Sequence, residues 1–336
     1  DTVCIVKTDP MGINSEFAWI NYYIDDPAAS VRQTGMDLLK KANIAGARTI
    51  VLWSEVIDST GNFAQDFWQT EPGKRIKLFR DNNIPHWIML LGKNYCIPTD
   101  NEELAGWKEF CKYVMRNTYQ DTKVYEIWNE PDLFSFNRNE ATPADLAKIT
   151  NLAKQAATEI ENEMSEPGKQ YKLSISGLSV TGLWLNDRRD YWLKEALDAG
   201  IAGGEYGMDM LNVHTYVENA PPESAKLYNT LKEYQSDIEK NCDVSNMPVL
   251  ISEYGYPSSD SKVGSNKADW IVRSALLYKA NGVGDMSALY NLERRGILDT
   301  NREDCFGIIS YLNEKYNNEG KTGIPNDSYL AYAGMN

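Results

Sequence analysis

Short apolar runs of strand length alternate with stretches of helical spacing along the whole chain. The runs at residues 5–14, 48–53, 86–91, 123–128, 172–177, 208–214, 248–252 and 285–290 are bounded by turn formers and read as strands. Between them, residues 28–45, 74–82, 103–117, 143–163, 191–199, 222–240, 267–281 and 328 to the C-terminus carry the i, i+3, i+4 recurrence of amphipathic helices. The punctuation agrees with this reading. Gly46, Gly200 and Gly282 follow helical stretches, and Thr142-Pro143 supplies a capping side chain and a proline for a first helical position.

Strand and helix alternating in this way, with no Pro/Gly-rich linker and no shift in composition, predict one parallel α/β domain over residues 1–336, closed as a single (β/α)8 TIM barrel. Residues 293–327 are loop-rich and are expected to cap one barrel face. An open doubly wound sheet is the rival. Neither GxGxxG nor GxxxxGK[ST] follows the first strand, which removes the usual nucleotide-binding signature.

Two strands end unusually. Val124-Tyr125-Glu126-Ile127-Trp128-Asn129-Glu130-Pro131-Asp132 and Pro248-Val249-Leu250-Ile251-Ser252-Glu253-Tyr254-Gly255 each run from apolar residues into a glutamate. A carboxylate at the tip of a buried strand is poorly solvated and calls for a partner or a task. In a parallel barrel all strand C-termini open onto one face, so glutamates after the fourth and seventh strands are expected to share a cleft. Two carboxylates across a cleft suit glycosidic bond cleavage, one protonating the leaving oxygen and the other attacking the anomeric carbon. For a covalent intermediate they are expected about 5–5.5 Å apart.

Composition narrows the partners. A net charge of −14 disfavours nucleic acid or an anionic membrane, both of which need clustered Lys and Arg. Nine Trp and 20 Tyr are a heavy aromatic load, divided between core packing and stacking on sugar faces in a proportion that composition leaves open. Five cysteines lack CxxC spacing, so free buried thiols are expected. With only His86 and His214 in the chain, a multi-histidine metal site is excluded. His86 precedes its strand and is expected at the stability face, whereas His214 ends one at the catalytic face. No stretch approaches the ~20 apolar residues of a membrane span. The start at Asp1 fits a mature exported protein or a trimmed one, and a secreted, periplasmic or cell-surface location is expected.

Trp128-Asn129-Glu130-Pro131 resembles the Asn-Glu-Pro signature after strand four of the clan A retaining glycoside hydrolases, and Ile251-Ser252-Glu253-Tyr254-Gly255 is similar to the clan's nucleophile segment after strand seven. Family 39 and family 5 members are the most similar, through Trp-Asn-Glu-Pro-Asp and the His-x-Tyr of His214-Thr215-Tyr216. The resemblance implies Glu130 as acid/base, Glu253 as nucleophile, and Asn129 on the hydroxyl next to the anomeric carbon. It further implies that Tyr216 hydrogen-bonds Glu253 and that His214 contacts sugar or orients a carboxylate. Trp53, Asn94, Tyr95 and Tyr290 follow or end other strands and are candidates to line the cleft. The clan usually has Trp where Tyr290 stands. It also often has Arg late in strand two, whereas Arg48 opens that strand here. Glu126 reads as simple strand alternation and Asp132 as a loop acid.

The expected function is therefore retaining hydrolysis of an oligo- or polysaccharide by a monomer that needs no cofactor, nucleic acid or membrane. A carbohydrate-binding barrel without the chemistry is the alternative. A metal-dependent hydrolase or an aldolase on the same fold is a third reading.

Overall fold

A computed structural model of the chain describes residues 19–22, 29–181, 186–217, 219–225, 229, 231–233, 236, 239–240, 247–280, 286–293, 302–310, 312 and 323–335. Eight strands lie in the order of a closed barrel: β1 (Trp19–Asn21), β2 (Gly46–Leu52), β3 (His86–Leu91), β4 (Thr122–Ile127), β5 (Ser174–Val180), β6 (Met210–His214), β7 (Val249–Tyr254) and β8 (Met286–Leu289). The helices are α1 (Ala29–Lys41), α2 (Glu71–Asp81), α3 (Asn101–Thr118), α4 (Pro143–Met164), α5 (Asn186–Asp198), α6 (Lys267–Ala280) and α7 (Asp327–Met335). Residues 229, 231–233, 236 and 239–240, between β6 and β7, are also helical. The fold is the (β/α)8 TIM barrel that the alternation predicts. No described helix is long and apolar enough to cross a membrane.

The chain packs as two compact units. One holds residues 46–215 and 233–247, and with them β2 to β6; the other holds 1–45, 216–232 and 248–336, and with them β1, β7 and β8.

In the first unit the strand pairings among the described residues are parallel, with β2 running beside β3 from Ala47↔His86 to Leu52↔Leu91. Strands covered on both faces read as continuous apolar runs, and β3 is buried at all six positions. The helices form where caps and stripes agree. Thr142 accepts from the Asp145 amide and Asp145 reaches back to Thr142, a capping box ahead of Pro143. Leu146, Ile149, Ala153, Ala156, Ala157 and Ile160 then bury one face of α4, each fully covered large side chain contributing about 1.5–3 kcal/mol. Helix α2 begins at Glu71, three residues before the apolar pattern, because Thr70 caps it by accepting from the Gly73 amide. Gly73 is obligatory there, since a Cβ would lie 1.9 Å from the Phe67 carbonyl oxygen.

In the second unit, β8 pairs in parallel with both β7 and β1. Strand β1 is three residues long. The strand expected at 5–14 lies outside the described residues. Asn21 on β1 donates to the carbonyl of Ser252 at 2.9 Å, and Tyr332 on α7 donates to that of Trp19 at 2.7 Å. The first bond ties β1 to β7, and the second ties α7 to β1. Of the segment 293–327, the described part contains the short 3-10 turn Arg302–Cys305 and bridges from Ile309 to Glu293 and Pro325. Cys96, Cys111 and Cys305 are free thiols, whereas Cys4 and Cys242 lie outside the described residues.

Candidate active site

The chain leaves β4 through a left-handed turn. Trp128 and Glu130 have φ of 70° and 42°, on either side of Asn129. For non-glycine residues this region costs of order 1–3 kcal/mol each, so surrounding contacts must hold it. They do so tightly. The Trp128 amide donates to Leu90 on β3 at 3.1 Å, its indole donates to Phe136 at 2.7 Å, and the Glu130 amide donates to Ser179 on β5 at 3.0 Å. Gly92 makes room for the indole, because a Cβ there would come within 2.8 Å of the ring.

Glu130 is nearly buried and shares a 2.8 Å hydrogen bond between Oε1 and Nδ1 of His214, which is fully buried at the end of β6. A carboxyl and an imidazole at that separation can share one proton. Asn129 is 4% exposed and its Oδ1 accepts from Nη2 of Arg48 at 2.9 Å. A guanidinium only donates, so the contact fixes the amide flip and turns Nδ2 away from Arg48 as a donor.

Arg48 is the third residue of β2 and completely buried. Its Nε and Nη2 clamp Glu126 of β4 at 2.7 and 2.6 Å. Trp87 Nε1 and Ser179 Oγ also donate to Glu126, both at 3.1 Å, and Asn212 donates to Ser179 at 2.8 Å. Strand alternation therefore does not describe Glu126. It is the anionic centre of a network spanning β2, β3, β4, β5 and β6. Asp132 is likewise more than a loop acid: it is buried and accepts from both the amide and the hydroxyl of Thr181, at 3.1 and 2.8 Å. That ties the loop after Glu130 to the end of β5.

On the other unit, Glu253 is the penultimate residue of β7 and 7% exposed. The Tyr216 hydroxyl donates to its Oε2 at 2.6 Å. A phenol donating to a carboxylate favours the anion. The Tyr216 ring meets those of Tyr290 and Phe306 edge-on at 6.4 and 5.5 Å, and Tyr290 meets Phe306 at 5.3 Å. Gly255, two residues past Glu253, allows this close approach, since a Cβ would lie 2.5 Å from the Tyr290 carbonyl oxygen and 3.2 Å from the Phe306 ring.

The remaining candidates divide. Trp53 does not present a free face: it is buried, stacked on Phe110 at 5.6 Å, tilted against Trp107, and covered by Lys93 at 4.4 Å. Gly106 of α3 lies against its ring. Trp53 thus joins β2 to α3 as core. Asn94 is exposed and Tyr95 half-buried, both with positive φ, and Tyr95 sits between Phe136 at 5.6 Å and Arg138 at 5.0 Å. Tyr290 is half-buried. Glu130, His214 and Glu253 are each of a type that can ligate a metal ion. Sequence reading missed Arg48, Glu126, Ser179, Phe306 and Gly255. The readable signal was opposite charges at Arg48 and Glu126 inside otherwise apolar strands, which burial obliges to pair.

No protein-family profile matches the sequence, and no curated protein does. Solved structures do match. A family 39 glycoside hydrolase from the gut symbiont Bacteroides cellulosilyticus WH2 superposes with a TM-score of 0.72 at 17% identity, over 95% of this chain and 63% of that one. A GH39 beta-xylosidase from Caulobacter crescentus gives 0.65 at 15% identity, over 96% of this chain and 71% of that one. The endoglucanase Cel5A from the hyperthermophilic Thermotoga maritima gives 0.60 at 13% identity, over 94% and 96%. At these identities the likeness is one of fold, and the chain spans less than two thirds of the first structure's length.

Proposed function

We propose that the protein is a retaining glycoside hydrolase that cleaves O-glycosidic bonds of an oligo- or polysaccharide by double displacement. The observation that carries the reading is the unlike partnering of two strand-end glutamates. Glu130 sits on an imidazole with which it can share a proton, whereas Glu253 accepts from a phenol that favours its anion. Their places after β4 and in β7 of a parallel barrel put both at the strand ends where such sites are built. The structural neighbours, among them a family 39 glycoside hydrolase, a beta-xylosidase and an endoglucanase, support it as well.

In the first step, a Glu253 oxygen forms a bond to the anomeric carbon as the glycosidic C–O bond breaks, and Glu130 gives its proton to the departing oxygen. The product is a glycosyl ester on Glu253 and an anionic Glu130. In the second, Glu130 takes a proton from water, the water oxygen bonds to the anomeric carbon, and the ester C–O bond breaks to restore the Glu253 anion. Two inversions give net retention. Asn129, with Nδ2 turned away from Arg48, donates to the sugar 2-hydroxyl, a bond that strengthens as the oxocarbenium-like state develops.

The deciding experiment is labelling with a panel of activated 2-fluoro glycosides and peptide mapping of the adduct, alongside NMR of the first-formed product anomer. A label on Glu253 and a retained anomer are expected. An inverted anomer, or a label elsewhere, overturns the mechanism. Saturable binding of glycans with no hydrolysis of any would leave a binding barrel instead.

A further inference from the structure

Lys267, the first residue of α6, is 4% exposed, and its ammonium donates to three consecutive backbone carbonyls, those of Cys305 at 3.0 Å, Phe306 at 2.8 Å and Gly307 at 2.9 Å. An ammonium has three N–H donors, and three carbonyl oxygens accept them. They lie at the C-terminal end of the turn Arg302–Cys305, where carbonyls point outward and favour a cation. The same segment is held by two further elements. The Ser258 amide donates to Cys305 at 3.0 Å, and the Ile308 amide to the carbonyls of Asn291 and Leu292 at 3.2 and 3.0 Å. A buried ammonium is a costly fastening, because it must shed its water. What it fastens is the backbone of Phe306.

Phe306 is buried and touches three residues beside Glu253: the ring of Tyr216 edge-on, the ring of Tyr290 edge-on, and the Cα side of Gly255. Tyr216 carries the hydroxyl that donates to Glu253. The chain of contacts from the ammonium to the carboxylate is thus continuous. We propose that Lys267 is a positioning residue for Glu253, acting through the Cys305–Gly307 segment, Phe306 and Tyr216. It never touches substrate. It sets how firmly the Tyr216 hydroxyl is aimed. The meaning of Glu253 in this proposal rests on the glycosidase reading, whereas the geometry does not.

The test compares Lys267→Met, Lys267→Arg, Phe306→Leu and Tyr216→Phe in the full chain. The Glu253 carboxyl is titrated by 13C NMR in each, with the resonance assigned by Glu253→Gln. Folded Lys267→Met should move the Glu253 midpoint upward by about half a pH unit or more, in the direction of Tyr216→Phe, as a hydrogen bond to the anion weakens. Its kcat/KM should fall about tenfold, chiefly through kcat, and the acidic limb of the pH profile should move with the midpoint. Lys267→Arg, which keeps charge and donors, should recover part of both. Combined with Tyr216→Phe, Lys267→Met should add little, because both act on one hydrogen bond. A folded Lys267→Met with the parent's titration and pH profile overturns the proposal, as does full additivity. If Lys267→Met does not fold, Phe306→Leu decides at the next link, and a parent-like Glu253 titration there overturns it too. A parent that hydrolyses no glycoside defeats the glycosidase reading alone, since the titration still judges the positioning.

Discussion

Arg48 Nη2 and Asn129 Oδ1 meet at 2.9 Å, and this single contact decides which face of the Asn129 amide is presented away from β2. Asn129→Asp keeps an acceptor for Arg48 but replaces the outward NH2 by an oxygen. If that NH2 holds the sugar 2-hydroxyl, kcat/KM on ordinary aryl glycosides should fall by about 10- to 100-fold, the effect of losing one such bond. On the matching 2-deoxy glycosides the variant and the parent should agree within about threefold, since neither has a hydroxyl to hold. Equal losses on both substrates would remove Asn129 from the role.

The Arg48–Glu126 pair beneath it separates stability from activity. Glu126→Gln leaves a fully buried guanidinium without its carboxylate and should destabilise the protein by about 3–5 kcal/mol in urea denaturation. The double variant Arg48→Met/Glu126→Leu removes both charges and should recover most of that loss. It should not recover activity. Asn129 then has no donor to fix its flip, and kcat/KM should stay well below that of the parent. A double variant active at parental level would show that the pair serves stability alone.

Removing the carboxyl proposed to protonate the leaving oxygen should discriminate between leaving groups. Glu130→Gln cannot protonate the departing oxygen, so kcat/KM should fall by about 10²- to 10⁴-fold on glycosides with poor leaving groups and far less on dinitrophenyl glycosides, which depart unassisted. Steady-state kinetics across a series of phenol leaving groups measures the difference. A uniform loss across the series would argue that Glu130 only binds.

How much of this was legible in the sequence follows from what each residue touches. Strands β3 to β8 and the α3, α4 and α6 helices lie within a few residues of the periodic segments, because burial on both strand faces and one helix stripe leaves a direct imprint. Strand β1, only Trp19–Asn21, is too short to show a period. Glu130, Asn129, His214 and Glu253 were readable as polar residues at the ends of apolar runs. A period-2 reading passes over Arg48 and Glu126, because it sends polar residues in a strand to solvent, and a barrel strand has no solvent face; the signal they do leave is opposite charge inside apolar strands. Nor did position alone place Trp53. It ends its strand like a cleft residue, yet Gly106, Phe110 and Trp107 of α3 take its ring into the core. Lys267 and Phe306 are joined to Glu253 only by tertiary packing, which no local spacing records.

The tightness around Glu253 gives a prediction at Gly255. An added methyl would press on the Tyr290 carbonyl oxygen from 2.5 Å, and backbone cannot swing aside as a flexible side chain does. Gly255→Ala should therefore cost about 1–3 kcal/mol of stability by overpacking and lower kcat by displacing the Tyr290–Phe306–Tyr216 cluster. Thermal melting and steady-state kinetics on the purified variant test both halves. Parental kcat in a destabilised variant would separate the cluster from catalysis.

His86 gives the chain a pH-dependent stability far from the candidate site. It opens β3, stacks on Phe79 at 5.3 Å, and is fully buried between the Ile84 carbonyl on Nδ1 at 3.2 Å and the Thr122 hydroxyl on Nε2 at 2.8 Å. Neutral imidazole satisfies both neighbours, donating to Ile84 and accepting from Thr122. Burial lowers its pKa from 6.5 to about 4, against a smaller opposing effect of the Ile84 bond. The unfolded chain takes up this proton near pH 6.5 and the folded chain does not until about 4, so stability is complete above 6.5 and declines as pH falls through that interval. The full gap corresponds to about 3 kcal/mol, of which about 2 kcal/mol should be lost between pH 7 and pH 5. Most carboxylates remain ionised over that range, and the buried His214–Glu130 pair is common to parent and variant, so the difference between the slopes of parent and a His86 variant isolates His86. His86→Gln, whose amide can still donate to Ile84 and accept from Thr122, should be less stable at pH 7 but should lose about 2 kcal/mol less than the parent from pH 7 to 5. Urea denaturation at half-unit pH steps measures both curves, and parallel slopes for parent and variant would assign the acid sensitivity to other groups.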